Sequence, residues 1–520
     1  MQKMIIKERF RQYFCGLPVL IDLDRQHRLV TFLTSLNGVR LWAAMMVLLA
    51  IALGILNGEV INRDGILYIN TAQAFLDNGI KAAMQVYNWP SYSILFGIIS
   101  NWTGLSLESS AHILNALLML LLVDAFIRLS HNLSNKQIRP WIAALVVLCF
   151  PPFDHRLEIY RDWGYLAMTF CALVSLQKYW ISERVLSREV ITWQLCMIIA
   201  LLFRVEAIVL ITLTPIGFLF QKRVWVQRLK RFISAYSLIL LIAVLSGAFV
   251  AMGDVPLGKL IDLKQYTDPS YVFSKFNLSA EQLASHALNK YSDDYASLIL
   301  GGGIVTLICW MILDNLGAFL AILLGVGIYA KRLPKASAYR LIYWLETIVV
   351  VTLFAFLMTT LIPPSRYALL GSMLLLILIT YAVNMFADTK DSKGRASRYW
   401  WWFVVIGLVI GNLFNLSFHQ DYKSYLREGG HWISQNIPSK IPLITNDFII
   451  DYYAKRPHGD KIDSLAKVAK ALQAAQRPFY IALKTKDKER SEVLSLLDQK
   501  PQVEFHSGHA KETLLIFYRD

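Results

Sequence analysis

Ionisable side chains occur at four points of an otherwise strongly apolar sequence. The first is Arg63-Asp64, which follows the first long apolar segment and precedes an amphipathic stretch. At the start of an interfacial helix, the helix dipole stabilises a carboxylate and fixes its direction. Asp64 is therefore a candidate general base for chemistry at a membrane surface. A solvated loop pair without a function is the alternative, and the residues alone weigh it equally.

The second point is the segment DHRLEIYRD, which places six acidic or basic residues between two apolar segments: Asp154, His155, Arg156, Glu158, Arg161 and Asp162. Arginines bind phosphate through paired hydrogen bonds, and neighbouring acids can orient those arginines or a hydroxyl group. We therefore predict substrate binding here, with pairing inside the segment as the alternative. A metal site from Asp154, His155 and Glu158 is a weaker interpretation, because their spacing matches no specific metal motif.

The third point is Arg204 with Glu206 in a mid-chain apolar block, and the fourth is Arg366-Tyr367 beside a pair of prolines. An arginine and a glutamate two residues apart point to different faces of a straight helix, which is costly in a bilayer. A tight turn at 203–206 would instead place both side chains in a central cavity. A structural ion pair explains Arg204 and Glu206 equally well, and Arg366 can alternatively extend to lipid headgroups.

The composition defines the class of protein. Of the 520 residues, 56% are hydrophobic and 17% are charged, and the mean hydropathy is +0.44. Soluble proteins carry about a quarter charged residues, whereas apolar blocks here are long enough to cross a hydrocarbon layer of about 30 Å. We predict an α-helical polytopic membrane protein. Basic loops on one membrane face explain the net charge of +15, so we expect no nucleic-acid partner. The scattered cysteines indicate neither a disulfide framework nor a cysteine metal site.

Because basic loops favour the cytosolic side, loop charge orders the apolar blocks into about eleven spans. Residues 1–40 are predicted to be a cytosolic N-terminal segment and residues 41–416 a transmembrane domain. The spans are predicted at 41–56, 111–129, 141–153, 163–181, two within 191–220, 232–251, one within 298–330, 342–362, 367–386 and 401–416. Residues 253–296 would form a long polar outer loop. All four charged points then lie on the outer face, which indicates an outward-facing active site.

The first outer loop, 57–109, is predicted to hold two interfacial helices separated at Trp89-Pro90. If 92–105 crossed the membrane instead, every later loop would change sides. Residues 417–520 are polar, and they alternate between strand and helix patterns, which predicts a small extracytoplasmic α/β domain. Strands are expected at 441–446, 478–485 and 512–520, and helices at 462–476 and 488–499. Since this part lacks a nucleotide-binding motif, a lid or docking domain is its simplest interpretation.

With these features, the chain resembles the polyprenol-phosphate-sugar-dependent glycosyltransferases of the GT-C class. That class includes protein mannosyltransferases, aminoarabinose transferases acting on lipid A, and RgtA/B/C/D-like bacterial enzymes. The resemblance covers about residues 38–416 and depends on four short motifs: RDGILYI with Asp64, EIYRDWGY, Arg204-x-Glu206 and Ser365-Arg366-Tyr367. Many members have Asp-Glu where this sequence has Asp64-Gly65, so a second acid is expected from EIYRDWGY.

The resemblance implies a reaction and a set of roles. Asp64 would accept the proton of an acceptor hydroxyl, which attacks the sugar C1 while polyprenyl phosphate leaves. Arg161 and Arg366, together with Arg204, would hold the phosphate, and Glu158 or Asp162 would orient the acceptor or those arginines. Other substrate-binding candidates are Arg63, Tyr68, His155, Arg156, Glu206 and Tyr367. No cofactor is required if arginines alone neutralise the phosphate; a divalent metal is the alternative.

The implied partners are the bilayer, a lipid-linked sugar donor and an extracytoplasmic acceptor, which is a glycan, a lipid or a protein. The implied location is the cytoplasmic (inner) membrane, with the N-terminus inside and the C-terminal domain outside. Two other functions fit the same charges. A transporter or flippase for lipid-linked glycans would bind phosphate without making a bond, although no internal repeat is evident. A ligase of the O-antigen type would use the outer loop at 253–296.

Overall fold

The structure is a computed structural model of the chain. It describes residues 30–56, 60–242, 244, 268–362, 365–387, 396–416, 423–457, 467–468, 470, 478–508 and 511–520. Helices dominate the first 416 residues: α1 (Leu36–Leu56), α2 (Arg63–Val86), α3 (Ser91–Thr103), α4 (Leu107–Leu133), α5 (Pro140–Leu148), α6 (Asp162–Ile181), α7 (Arg188–Phe203), α8 (Ala207–Leu213), α9 (Trp225–Ser234), α10 (Pro269–Ala287), α11 (Ala296–Tyr329), α12 (Arg340–Thr360), α13 (Leu369–Ala387) and α14 (Ala396–Leu416). Short 3₁₀ segments lie at Pro151–His155, Thr214–Phe220, Asp293–Tyr295, Ser337–Tyr339 and Ser365–Ala368.

Five of the described helical segments are long and apolar enough to cross a membrane: Leu36–Leu56, Leu107–Leu133, Asp293–Tyr329, Ser337–Thr360 and Ser365–Ala387. Two shorter apolar segments are Ala207–Phe220 and Trp400–Leu416. The prediction of a polytopic helical membrane protein is therefore confirmed. The count of eleven spans and the inside–outside orientation stay predictions.

Two helices follow the first span, as predicted for the segment that precedes residue 109. Helix α2 buries Ile66, Ile69 and Ala72 on one face, which is the arrangement expected of an amphipathic helix lying in an interface. Gly79 interrupts it with a φ of 75°, a conformation that glycine adopts without a Cβ penalty. The chain turns extended at Tyr87, and α3 begins directly after Pro90.

Two predicted segments differ from the observed ones, and half of a third lies outside the described residues. The span at 141–153 contains a helix of only nine residues, α5, because Pro151-Pro152 starts a 3₁₀ segment. The second half of the span at 232–251 lies outside the described residues. The segment at 253–296 was predicted only as a polar outer loop, but its part from residue 268 onward contains the 19-residue helix α10. The two short helices predicted within 191–220 are confirmed, since α7 ends at Phe203 and α8 begins at Ala207.

After residue 423 the described elements are α15 (Ser424–Asn436), β1 (Leu443–Thr445), α16 (Phe448–Tyr453), β2 (Phe479–Lys486), α17 (Asp487–Leu497), β3 (Val503–His506) and β4 (Glu512–Arg519). The strands form one sheet in the order β1-β2-β4-β3, with β1 parallel to β2 and the other pairs antiparallel. The three predicted strands and the helix at 488–499 are present. Helices α15 and α16 and strand β3 were not predicted, and most of the predicted helix at 462–476 lies outside the described residues. The domain boundary at 417 stays a prediction.

The sheet-containing segment is joined to the helical part near the start of α2. The Ile61 amide donates to the Tyr453 hydroxyl over 3.2 Å, and the Tyr452 hydroxyl donates to the Glu108 carboxylate over 3.0 Å. Helix α16 also packs on α2. These contacts place the C-terminal segment directly beside Asp64.

Candidate active site

Asp64 lies in the first turn of α2, where the helix dipole favours a carboxylate. The Asn62 side chain anchors this turn, because its oxygen accepts a 2.9 Å hydrogen bond from the Ile159 amide. Gly65 permits the close approach: a Cβ there would lie 2.6 Å from that Asn62 oxygen and 3.1 Å from the Ile159 Cβ. The absence of a second acid after Asp64 therefore has a steric reason.

Arg366 binds Asp64 directly. Its guanidinium donates to the Asp64 carboxylate, and both side chains are partly exposed, at 40% and 36%. Arg366 belongs to the 3₁₀ segment before α13, which the Asn315 side chain holds through a 2.9 Å hydrogen bond to the Ser365 carbonyl. This ion pair connects two of the four charged points predicted from the sequence, Arg63-Asp64 and Arg366-Tyr367.

Arg204 connects the other two charged points, the segment DHRLEIYRD and the pair Arg204 and Glu206. It is buried in the turn between α7 and α8, and it donates to Asp162 and, over 2.9 Å, to Glu206. Burial by itself would raise the pKa of Glu206, but the charge of Arg204, its hydrogen bond and the charge of Arg161 together lower that pKa to about 2. The guanidinium also lies 4.4 Å from the ring centre of Tyr367, within range of a cation–π interaction.

Arg161 is the exception among these arginines. Its side chain is only 7% exposed, and in the described part of the chain it forms no hydrogen bond or ion pair. Its guanidinium lies 5.6 Å from the ring centre of Tyr87, and its charge acts on both Glu206 and Tyr68. A buried cation without an anionic partner is costly. Arg161 is therefore suited to bind an anionic ligand.

Tyr68 packs beside Arg161 within an aromatic cluster. Its ring makes edge contacts with Tyr87 at 5.6 Å and with Tyr92 at 5.3 Å. Burial raises the pKa of its hydroxyl, and the Arg161 charge opposes that rise. The hydroxyl is therefore a hydrogen-bond donor for a ligand near Arg161.

Three predicted residues lie elsewhere. Arg156 is buried and donates to the backbone carbonyls of Ala50 and Asn415 over 2.8 and 3.0 Å, so it connects the ends of α1 and α14. Arg63 turns toward the C-terminal segment, where it pairs with Asp447 over 3.0 Å. His155 is mostly exposed and pairs with Glu158 over 2.8 Å.

Glu158 is nevertheless connected to the Asp64–Arg366 ion pair, because Tyr160 contacts both Glu158 and Arg366. Burial would raise the pKa of Glu158, but hydrogen bonds from His155 and Tyr160 lower it overall. The Tyr160 ring centre in turn lies 5.9 Å from the Arg366 guanidinium. Glu158 thus lies at the edge of the site, and the Tyr160 side chain separates it from Arg366.

A cavity of about 490 Å³ opens from this cluster between α8 and α12. Its polar end is lined by Asp162, Arg204, Glu206, Arg366 and Tyr367. Most of the remaining lining is aliphatic or aromatic, from residues such as Val209, Leu213, Val351, Ala355 and Phe356. The cavity therefore has a charged end and continues as an apolar groove. This shape suits an amphiphilic ligand with an anionic headgroup.

Sequence reasoning missed Asp447, which holds Arg63, and the rings of Tyr87, Tyr160 and Tyr165. Asp447 is buried and lies 384 residues after Arg63, so no spacing rule connects the two. Tyr160 and Tyr165 lie within the EIYRDWGY motif, and this was the only signal for them. In the described ranges, no three His, Cys, Asp or Glu side chains are grouped so that they could hold a metal ion.

The fold is similar to that of known proteins, although no family model and no curated protein matches the sequence. The crystal structure of ArnT from Cupriavidus metallidurans in the apo state aligns over 91% of this chain and 97% of its own, with a TM-score of 0.51 and 12% identity. The chain has an ArnT-like fold. The predicted resemblance to the aminoarabinose transferases, which belong to the GT-C class, is thus confirmed for the fold.

Archaeal structures align more loosely. The Archaeoglobus fulgidus oligosaccharyltransferase AglB, in complex with an inhibitory peptide and a dolichol-phosphate, aligns over 88% of this chain and 71% of its own, with a TM-score of 0.47 and 9% identity. A second structure of an oligosaccharyltransferase from this organism, tethered to an acceptor peptide, aligns over 80% and 63%, with a TM-score of 0.44 and 11% identity.

Proposed function

We propose that this protein is an integral-membrane glycosyltransferase that moves a sugar from a polyprenyl-phosphate donor to an acceptor hydroxyl at the Asp64 face. The observation that carries the proposal is the buried Arg161 guanidinium, which has no anionic partner in the described residues and lies beside acids and arginines that are paired. A buried charge is stabilised when an opposite charge joins it. The donor phosphate would supply that charge.

The phosphate also competes for Arg366. In the structure this guanidinium is bound to Asp64, and both side chains are accessible. Arginine binds phosphate through paired, charge-assisted hydrogen bonds, so the donor can draw Arg366 away from the carboxylate. Donor binding would then release Asp64 for catalysis only when the substrate is in place.

The apolar groove between α8 and α12 would receive the first units of the polyprenyl chain. Its walls are mostly apolar, and Val351 is 57% exposed, which opens the groove toward lipid. The phosphate at the polar end would lie beside Arg366, with Arg204 held nearby by Asp162 and Glu206. Asp162 and Glu206 would therefore position an arginine and would not contact the sugar.

The chemical step uses groups already in place. The acceptor oxygen attacks C1 of the sugar, the C1–O bond to the phosphate breaks, and polyprenyl phosphate leaves. Asp64 accepts the acceptor proton, and Arg161 with Arg366 stabilises the negative charge that develops on the leaving phosphate. Glu158, at the edge of the site, would orient the acceptor or Arg366. We place this reaction at the outer face of the cytoplasmic membrane. The arginines would neutralise the phosphate charge in place of a metal ion.

Mass spectrometry of envelope glycolipids and polysaccharides from cells with and without the protein tests the function. We expect one sugar-bearing species to disappear and its sugar-free form to accumulate. If instead a lipid-linked precursor accumulates on the cytosolic side with no sugar bond missing from any acceptor, the protein is a transporter and the proposal is wrong.

A further inference from the structure

A second cavity, of about 810 Å³, lies at the far ends of the helices that form the active site. Helix α6 begins at Asp162 and ends at Ile181, the segment after Glu206 ends near Gln221, and α12 runs back from the Arg366 side to Arg340. Ile181, Gln221 and Arg340 all line this cavity. At about 1.5 Å per residue, α6 separates the two cavities by roughly 30 Å, which is the thickness of a hydrocarbon layer. The second cavity therefore opens at the opposite membrane face.

The lining of this cavity is basic. Lys222, Arg223 and Arg340 contribute cations, and none of the described residues that line it is an acid. Lys222 and Arg340 are exposed, and neither side chain has a hydrogen bond or an ion pair in the part of the chain that the structure describes. Arg223 is fixed differently, because it donates over 2.8 Å to the Ser182 carbonyl. Glu183 lines an adjoining cleft together with Lys222 and Arg223.

Aromatic side chains form the other wall. Trp180, Tyr343 and Trp344 line the cavity, and Trp344 is held in position by a 3.2 Å hydrogen bond from its indole to the Leu213 carbonyl. Phe220, at the rim, is 71% exposed. Aromatic rings with a polar edge are favoured at the depth of lipid headgroups.

Helix α9 continues this surface from the rim of the cavity. It is strongly amphipathic, with Trp225, Val226 and Ile233 more than half exposed and with Arg228 and Lys230 in the same two turns. A helix of this kind lies in the membrane interface with its apolar face in the acyl region. The basic cavity is thus placed at headgroup level and is open on its apolar side.

We propose that this cavity binds the phosphate headgroup of an anionic phospholipid in the leaflet opposite the active site. Lys222 and Arg340 would contact the phosphate, since their charges are unpaired among the described residues, and Phe220 and Trp225 would contact the acyl chains. Basic pockets between membrane helices are suited to anionic headgroups. The site is independent of the proposed transfer reaction, and a soluble phosphate would leave the exposed apolar rim without a partner.

The test compares the purified full-length protein with two double variants. Lys222→Gln/Arg340→Gln removes two cations from the cavity, whereas Lys136→Gln/Lys331→Gln removes two exposed cations elsewhere on the same face. Binding is measured by native mass spectrometry and by the shift in unfolding temperature on titration with phosphatidylglycerol, phosphatidylcholine or inorganic phosphate. A third variant, Lys222→Arg/Arg340→Lys, keeps both charges and controls for folding.

We expect phosphatidylglycerol to bind and stabilise the wild type, the control variant and the charge-preserving variant alike. The cavity variant should bind it about 25-fold more weakly, from roughly fivefold for each cation. Equal binding of phosphatidylcholine, an equal loss in the control variant, or stabilisation by inorganic phosphate alone would each overturn the proposal. None of these outcomes depends on measuring sugar transfer, so the two proposals fail separately.

Discussion

The Arg366 guanidinium binds the Asp64 carboxylate although 302 residues separate them in the chain. This ion pair joins the first turn of α2 to the start of Ser365–Ala387, a segment long and apolar enough to cross a membrane. In the proposed reaction, Asp64 and Arg366 hold each other in place until the donor phosphate binds. The phosphate would then take Arg366 from Asp64, and the carboxylate would be free to act as the base.

Arg161 and Arg156 are both buried, five residues apart in the sequence, but we expect opposite effects from their loss. Arg161→Gln removes a cation without a partner among the described residues, so the unfolding temperature should not fall, whereas KM for the lipid-linked donor should rise. Hydrogen bonds to charged groups contribute about 1.5–3 kcal/mol, which corresponds to roughly 10- to 100-fold.

Arg156→Gln is the matched control. It breaks two hydrogen bonds to backbone carbonyls, so stability should fall while KM of the remaining folded protein stays near the wild-type value. Both quantities are measured on protein in nanodiscs, by thermal unfolding and by steady-state transfer. A lower unfolding temperature for Arg161→Gln with an unchanged KM would show that Arg161 is structural.

The Glu206 carboxylate should make stability depend on pH. Its pKa is lowered from 4.5 to about 2 in the folded protein, so its ion pair with Arg204 stabilises the fold above about pH 4.5, and this stabilisation is lost as the pH falls toward 2. The contribution is at most on the order of 3 kcal/mol, because the side chain is 29% exposed. Thermal unfolding of wild type and Glu206→Gln should differ most at pH 7 and converge only as the pH approaches 2. An equal difference at both pH values would exclude this role.

The C-terminal segment should influence transfer through Arg63. Asp447→Asn keeps an oxygen that can cap α16, where the carboxylate now accepts from the Ile449 amide over 3.0 Å, but it loses the charge that binds Arg63. We expect a several-fold lower transfer rate, because Arg63 precedes Asp64 in the same helical turn. In a double-mutant cycle with Arg63→Gln, the double variant should be no slower than either single variant. Additive losses would mean that the two residues act independently.

Gly65 should be intolerant of even a methyl group. Gly65→Ala places a Cβ 2.6 Å from the Asn62 oxygen that binds the Ile159 amide, and overpacking of this kind costs about 1–3 kcal/mol. Thermal unfolding should reveal the loss, and Gly79→Asn, at an open position with positive φ, is the control. Wild-type stability of Gly65→Ala would show that the turn can relax.

The class of protein, its main helices and the four charged points followed from the sequence, because bilayer thickness, helical periodicity and loop charge act locally. The turn at Arg204 was predictable for the same reason: a buried Arg-x-Glu is too costly in a straight helix. That Asp64, Arg204 and Arg366 would meet was an inference from their shared membrane face, and the structure brings them together.

The pairings themselves were not predictable. Asp162 forms an ion pair with Arg204, whereas Arg161 has no partner in the described residues. Arg161 and Asp162 are adjacent in the sequence, so only tertiary packing determines which of them is paired. Arg156 looked like a substrate-binding residue because its backbone-carbonyl partners, Ala50 and Asn415, carry no side-chain signal. The ion pair between Asp447 and Arg63 was not predictable either, because the two residues lie in distant parts of the chain.

The rate of donor cleavage by Asp64→Asn tests the central claim most directly. Wild type, Asp64→Asn and the control Asp77→Asn, an exposed acid on the same helix, are reconstituted into proteoliposomes with extracted lipid-linked sugars and an envelope acceptor fraction. Mass spectrometry follows free polyprenyl phosphate and the glycosylated acceptor over time. Loss of a general base should slow both products by about 10²- to 10⁴-fold in Asp64→Asn, while Asp77→Asn matches wild type. Wild-type rates from folded Asp64→Asn would contradict the account.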